Sequence, residues 1–395
     1  MKIAIIGAGI GGLTAAIALL KKGFDVTVLE QAAALGEVGA GIQMASNATG
    51  VMYRLGLGDA LEAVACEPIG KRIRLWNTGQ IWPLFDLGAV SRANYGYPYF
   101  TVHRADLHAI LVAGVKALKP DAIRLGVRVV GFEQTDRGVR VTASDGVAYE
   151  ADAAVGADGV HSRTREALFG PDAPRYSGVM AWRGVIPTDR LPAALREPYG
   201  SNWVGAGAHV IQYPLRGGEL MNFVGAVEGN RWDIESWSEA GTHEECLEDF
   251  KGWHEDVQTL IRAIDTPYKW VLKVRDPMET WSKGRITLLG DACHPTLPFL
   301  AQGACMAIED GYILARALEK YRDSVPTAFQ RYEDARKERT ARVVRGSNEN
   351  ATRFHNPALS DVKGATEYVD SQFTEERVKE RYEWLFQYDV DAVEL

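Results

Sequence analysis

Apolar residues fall in two rhythms along this chain, and the change between them divides it. Met1 to Ile6 (MKIAII) is a nearly unbroken apolar run, as expected of a strand buried on both faces of a parallel sheet. Gly7-Ala8-Gly9-Ile10-Gly11-Gly12 follows at once, then a helix-forming stretch from Leu13 to Gly23 and a second apolar strand from Val26 to Glu30. This doubly wound pattern runs to about Gly70. An aromatic stretch from Arg74 to Gly88 (RLWNTGQIWPLFDLG) then alternates as sheet does. Tyr99 to His108 returns to a strand feeding a helix. Asp145-Gly146 marks a hairpin turn between Val139–Ala143 and Val147–Ala151. From Tyr176 to Lys273 the chain is β-rich, with strands expected at Met180–Pro187, His209–Pro214 and Leu220–Glu228. After Arg285 a short strand (ITLLG) leads through a glycine-containing loop to a long helix starting near Gln302. Charged amphipathic helices fill the chain from about Thr327.

The opening βαβ pattern is a dinucleotide fingerprint in its required context. Gly7 permits the tight turn, Gly9 lets backbone approach a pyrophosphate, and Gly12 lets the helix pack on the strand. The helix start then offers free N–H groups to phosphate. Glu30 ends the second strand, where an acid accepts hydrogen bonds from a ribose diol. Gly7, Gly9, Gly11, Gly12 and Glu30 are the expected contacts. Gly205-Ala206-Gly207 is the other GxG near a strand, but Val210 stands where a third glycine would. One dinucleotide site is therefore expected, without a second domain for a nicotinamide.

Bulk properties narrow the class. The 395 residues carry a net charge of −8 without a basic tract, which argues against a nucleic-acid partner. Cys66, Cys246, Cys293 and Cys305 lack metal-ligand or disulfide spacing and read as reduced, mostly buried thiols. No metal site is expected. The first strand begins too early for a signal peptide, and no apolar run is long enough to span a membrane. The expected compartment is the cytoplasm.

Two later motifs decide which dinucleotide is bound. One runs from Asp152 through Asp158-Gly159 to Arg165. The other is Gly290-Asp291-Ala292-Cys293-His294-Pro295, continuing through Gln302-Gly303-Ala304 to Asp310. With the glycine fingerprint, in this order, the chain resembles the single-component flavoprotein aromatic hydroxylases over nearly its whole length, Lys2 to about Tyr388. The resemblance implies bound FAD, with NADH or NADPH and O2 as co-substrates. It puts Asp291 at the ribityl and pyrophosphate part of FAD and Arg104 near the phosphates. Asp158 and Gly159 would border FAD and the nicotinamide path. The loop from Pro295 to Gln302, Gly303 and Ala304 would aim backbone N–H groups at the flavin edge that becomes anionic on reduction. The implied fold is α/β: a Rossmann-like FAD-binding domain at 1–70, 100–172 and 280–340, and an interleaved antiparallel β-sheet substrate domain at 71–99 and 173–279. C-terminal helices follow at 341–395.

Within that family the middle and C-terminal segments look most like the branch acting on small aromatic carboxylates: salicylate, 3-hydroxybenzoate and 6-hydroxynicotinate hydroxylases. Those segments are Glu37–Ile42, His209–Glu219, Ala301–Asp310, Arg336–Arg339 and Trp384–Tyr388. His209 falls on the branch's active-site histidine and Tyr213 on a pocket aromatic; both sit on one face of a strand with Ile211. Gln43 and Leu297-Pro298-Phe299 depart from the relatives' residues, which leaves the ring open. A flavin C4a-hydroperoxide is an electrophile, so the implied chemistry needs a base to ionise the ring hydroxyl. His209 is the candidate, and attack on the ring is open to hydroxylation with or without loss of its carboxylate as CO2. His294 reads as either a loop-ordering or a direct participant; His103, His108 and His161 read as structural. Trp182 or Trp203 is a candidate pocket wall. A flavin oxidase or dehydrogenase, a flavin halogenase and a non-catalytic FAD module are the alternatives. Halogenases carry WxWxIP, and here Gly184 stands at the second tryptophan of Trp182–Pro187. The partners implied are a small aromatic carboxylate and O2, with room for a homodimer.

Overall fold

Burial on both faces fixes the first strand between two parallel neighbours. In the computed structural model, which describes residues 1–36, 40–229 and 239–395, Lys2–Ile6 pairs in parallel with Asp25–Leu29 and with Ala153–Gly156. Ile286–Leu288 adds in parallel beyond Ala153–Gly156. The full order is Ser282–Lys283, Ile286–Leu288, Ala153–Gly156, Lys2–Ile6, Asp25–Leu29, Ile123–Arg124. Stretches far apart in sequence thus meet edge to edge, which brings the three motif loops together. The helix Ile10–Lys21 is buried from Ile10 to Leu19 and packs against the helix Gly303–Lys320. At Gly311 a Cβ would lie only 2.7 Å from the Ala15 backbone nitrogen, so the two helices cross in backbone contact. The Asp145-Gly146 turn joins Val139–Ala143 to Ala148–Ala151 as an antiparallel pair.

A second sheet of eight strands runs Glu239–Ala240, Tyr268–Val274, Arg175–Pro187, Leu220–Glu228, Ala208–Leu215, Tyr199–Gly205, Gly70–Leu75, Ile81–Asp86. Alternation gives it two different faces. Ala208, Val210, Trp182 and Trp203 share a core with Cys246, Phe250, Val257, Leu260 and Ile261 of the helices His243–Asp249 and Glu255–Ala263. Trp182 and Trp203 are fully buried there, so neither is the pocket wall the sequence suggested. Trp232, Trp237 and Glu37–Gly39 lie outside the described residues. The opposite face carries Ile73, Leu75 and Val204, and meets the loop Pro298–Leu300 and the C-terminal helices. One helix of 30 residues, Val325–Phe354, runs straight through the boundary expected at 340/341.

All four cysteines are free and buried, Cys293 and Cys305 in the core of the parallel sheet and Cys246 beneath the eight-stranded sheet. Among the described residues no helix is long and apolar enough to cross a membrane, and no group of three or more His, Cys, Asp or Glu could hold a metal ion.

Candidate active site

A cleft of about 1030 Å³ opens where the parallel strands end, lined by Gly7, Gly9, Glu30, Arg128, Asp158, Gly159, Arg165 and Arg275 among others. Its floor is the fingerprint loop. Gly7 has φ +104°, and a Cβ there would come within 2.5 Å of the Ala157 carbonyl. A Cβ at Gly12 would fall 2.2 Å from the Gly7 oxygen, whereas at Gly9 nothing lies within 4 Å. Gly12 is thus required by packing, and Gly9 faces open cleft, as backbone approaching a pyrophosphate must. Gly11 differs from expectation: it is buried against Leu289 and Ala307 and contributes packing, not cleft surface. Glu30 lines the cleft, and its two carboxylate oxygens accept the backbone N–H groups of Ala8 and Ala32, each at 2.8 Å. The acid therefore also ties the loop to the strand it ends. Asp158 accepts from the Thr164 N–H at 3.0 Å and from the Ser162 hydroxyl at 2.5 Å, so it secures the helix Arg163–Phe169 as well as bordering the cleft.

The Gly290-Asp291 loop is held from beneath by buried charge. The Asp310 carboxylate accepts the Gly290 N–H at 3.1 Å and meets His294 Nε2 at 2.6 Å and Arg336 Nε at 2.7 Å. Burial alone would strip His294 of its proton; the Asp310 carboxylate bonded to its Nε2 outweighs this and holds the ring well above its usual pKa. Through Asp310, His294 is tied to the Gly290 N–H and so to the loop itself. Asp291 is exposed at the loop surface; desolvation by the surrounding protein raises its pKa, while His294 and Arg104 pull the other way. Pro295 is buried in the following turn. Gln302 precedes the helix Gly303–Lys320, its side-chain oxygen held by Asn47 Nδ2 at 2.9 Å. No side chain caps that helix and no acid lies in its first turn, so the N–H groups beginning at Gly303 and Ala304 remain available to an anionic flavin edge. Open cleft at Gly9, an uncapped helix start and an acid at each end of the path fit FAD.

The second sheet's open face carries the remaining chemistry. Register places Val204 opposite His209, Asn202 opposite Ile211 and Gly200 opposite Lys71, so these side chains share that face with Tyr213. A cavity of about 40 Å³ lies over it, lined by Gln43, Lys71, Asn202, Ile211, Phe299 and Phe354 among others. That volume is water-sized, smaller than an aromatic ring. His209 sits just behind the lining, its ring 4.8 Å from that of Phe299 and 5.3 Å from that of Phe354. It is fully buried, and among the described residues its Nε2 has no hydrogen-bond partner. Burial, and secondarily His355, pushes its pKa well below that of a free histidine. Tyr213 is also buried, which pushes its phenol up and keeps it neutral.

Sequence reasoning did not single out Lys71, although a signal existed: in GKRIRL it alternates in phase with buried Ile73 and Leu75. Its side chain lies across Gly200, towards Tyr213's strand, and its ammonium is 5.0 Å from the Tyr99 ring centre. Among the described residues no carboxylate pairs with it. Burial pulls its pKa down to about 7. His355 and Glu228, which back His209, gave no signal, because nothing local links residues 127 positions apart.

Comparison with known proteins bears on this geometry. The family model described as FAD binding domain matches residues 1–347. A 3-amino-4-hydroxybenzoate 2-monooxygenase of Streptomyces platensis is 39% identical over 392 residues, 99% of this chain and 97% of its own. A 6-hydroxynicotinate 3-monooxygenase of Pseudomonas fluorescens is 41% identical, covering 88% of this chain and 91% of the relative. Among solved structures, a variant of HpxO from Klebsiella pneumoniae complexed with FAD superposes with a TM-score of 0.81 at 28% identity, covering 98% of this chain and 96% of that one. The chain belongs to the FAD binding domain family, and within it to the FAD-dependent aromatic-ring monooxygenases.

Proposed function

We propose that this enzyme hydroxylates a small aromatic or pyridine carboxylate already bearing a ring hydroxyl, using NADH or NADPH and O2, with His209 as the base. The observation that carries the reading is His209 itself: a neutral, fully buried imidazole with one ring nitrogen unpartnered behind the cavity wall. Gly7, Gly9, Glu30, Asp158 and Gly159 would hold the adenosine diphosphate part of FAD. Arg104, Asp291, Pro295, Gln302, Gly303 and Ala304 would hold its flavin end. Bound FAD supplies the activated oxygen. The chain's own part is to exclude water, orient the ring against Ile211 and Tyr213, and take the hydroxyl proton at His209 Nε2, which makes the ring a stronger nucleophile. Lys71 supplies the counter-charge for the ring carboxylate, since an ammonium enclosed without an acid awaits one from elsewhere. Reliance on NAD(P)H fits a cytoplasmic protein.

The test is a panel of hydroxybenzoates and hydroxynicotinates, scored by NADH consumption coupled to product mass. One ring should be hydroxylated with tight coupling. His209→Ala should keep its FAD and lose about 10²–10⁴-fold in oxygen insertion, the usual worth of a general base. Its NADH consumption should run to hydrogen peroxide. A panel without coupled turnover overturns the substrate class, and a well-coupled His209→Ala removes the base.

A further inference from the structure

Taken alone, His209 is poorly equipped to keep a proton. Burial disfavours its charged form, and an imidazolium left there would sit among the rings of Phe299 and Phe354. The surroundings of its second nitrogen offer a way out. His209 Nδ1 lies 2.6 Å from His355 Nε2, and His355 Nδ1 lies 2.9 Å from Glu228 Oε1. The His355 side chain is 1% exposed and that of Glu228 is 54% exposed, so the chain of contacts runs from the buried site to water. We propose that His209, His355 and Glu228 form a proton relay that carries the substrate hydroxyl's proton to solvent. It rests on the reading of His209 as base.

The hydrogen bonds fix one consistent set of tautomers. The Glu228 carboxylate accepts from His355 Nδ1–H, which leaves His355 Nε2 to accept from His209 Nδ1–H. His209 Nε2 then presents a lone pair, and it is the atom without a partner. The transfer balances without a charged imidazole. The substrate O–H breaks as His209 Nε2–H forms. His209 Nδ1–H breaks as His355 Nε2–H forms, and His355 Nδ1–H breaks as Glu228 O–H forms. One negative charge has moved from Glu228 to the ring oxygen, and Glu228 returns the proton to water. Backbone bonds hold the parts in register. Gly207, in the turn before His209, donates to the His355 carbonyl at 3.1 Å and accepts from the Glu228 N–H at 2.9 Å. The turn that begins the histidine strand thus fixes both relay partners. His355 and Glu228 act through His209 and are positioning and transfer residues, not contacts of the ring.

Glu228→Gln tests the relay in the FAD-loaded enzyme with the ring that the panel identifies. The amide oxygen still accepts from His355 but takes up no proton. FAD content and Tm should be unchanged, while oxygen insertion falls by about tenfold or more, less than the full worth of the base. Hydrogen peroxide should rise in step, and coupling should recover at high pH, where the hydroxyl ionises unaided. Stopped-flow with phenol red should show proton release on ring binding slowed by the same factor. His355→Gln, which breaks the middle of the relay, should match it in pH rescue. Wild-type coupling and proton release in both variants, with His209→Ala uncoupled, would overturn the relay and leave the base standing. A coupled His209→Ala would overturn both. Losses confined to FAD content or Tm would reduce His355 and Glu228 to structural roles and so reject the relay.

Discussion

Gly9 and Gly12 stand three residues apart and require glycine for opposite reasons. Gly12 has no room for a Cβ because the Gly7 carbonyl is in the way; Gly9 has room, and the space is open cleft. Gly12→Ala should therefore lower Tm even against FAD-stripped wild type, whereas Gly9→Val should match the Tm of FAD-stripped wild type yet purify colourless, as absorbance at the flavin bands would show. Lys71 makes a second prediction. The free site loses its ammonium above about pH 7, so affinity for an anionic ring should fall by up to tenfold per pH unit beyond that point. Flavin difference spectra would read it; Lys71→Met should bind weakly and without that slope, and no longer distinguish the acid from its carboxamide. Folding depresses this lysine's pKa, so its burden on stability is full below pH 7 and lifts as pH rises towards its unfolded value. Lys71→Met should accordingly raise Tm, and more at pH 6 than at pH 9. An equal Tm gain at both pH values would mean that the ammonium is not held against its charge. The fingerprint glycines were legible because local geometry demands them. Lys71 was passed over, although strand phase shows that it points inward; phase does not show what it meets there.

Elements were read well wherever their reasons are local. The first strand, the Asp145-Gly146 hairpin and the alternating strand of His209 are set by period and turn chemistry, and each formed where the pattern put it. What holds the elements to one another was not visible. The Gly290-Asp291 loop depends on Asp310, twenty positions on, and on Arg336 of a later helix, all of it buried. Asp310→Asn keeps the shape and removes the charge that compensates His294 and Arg336. Breaking a buried pair costs about 3–5 kcal/mol, so the variant should melt earlier and lose FAD together. A variant that binds FAD normally would show that the loop is ordered without the network. Gly184 is a similar case: a Cβ would meet Ile264 at 2.3 Å, which gives a packing reason for glycine where halogenases carry tryptophan.

At the scale of the molecule, the sequence shows which stretches are strands but not that Tyr199–Gly205 lies parallel to Gly70–Leu75, or that His355 returns to the end of the Leu220–Glu228 strand. Such pairings are settled by how two sheets and a long terminal helix bury their faces together, and neither local pattern nor residue spacing encodes that. The same global burial governs the four thiols. Burial pushes every one of them up in pKa, and all four are buried. An aromatic hydroxylase that turns over without its ring makes hydrogen peroxide beside its own polypeptide, and peroxide attacks thiolates rather than buried thiols. The folded enzyme should withstand its own leakage, and Ellman's reagent should find almost no reactive cysteine in it. With all four buried, colour should develop only as molecules open, so a plain thiol assay becomes a clock for unfolding. Rapid labelling of the native protein would show that at least one of these sites breathes far more than its packing implies.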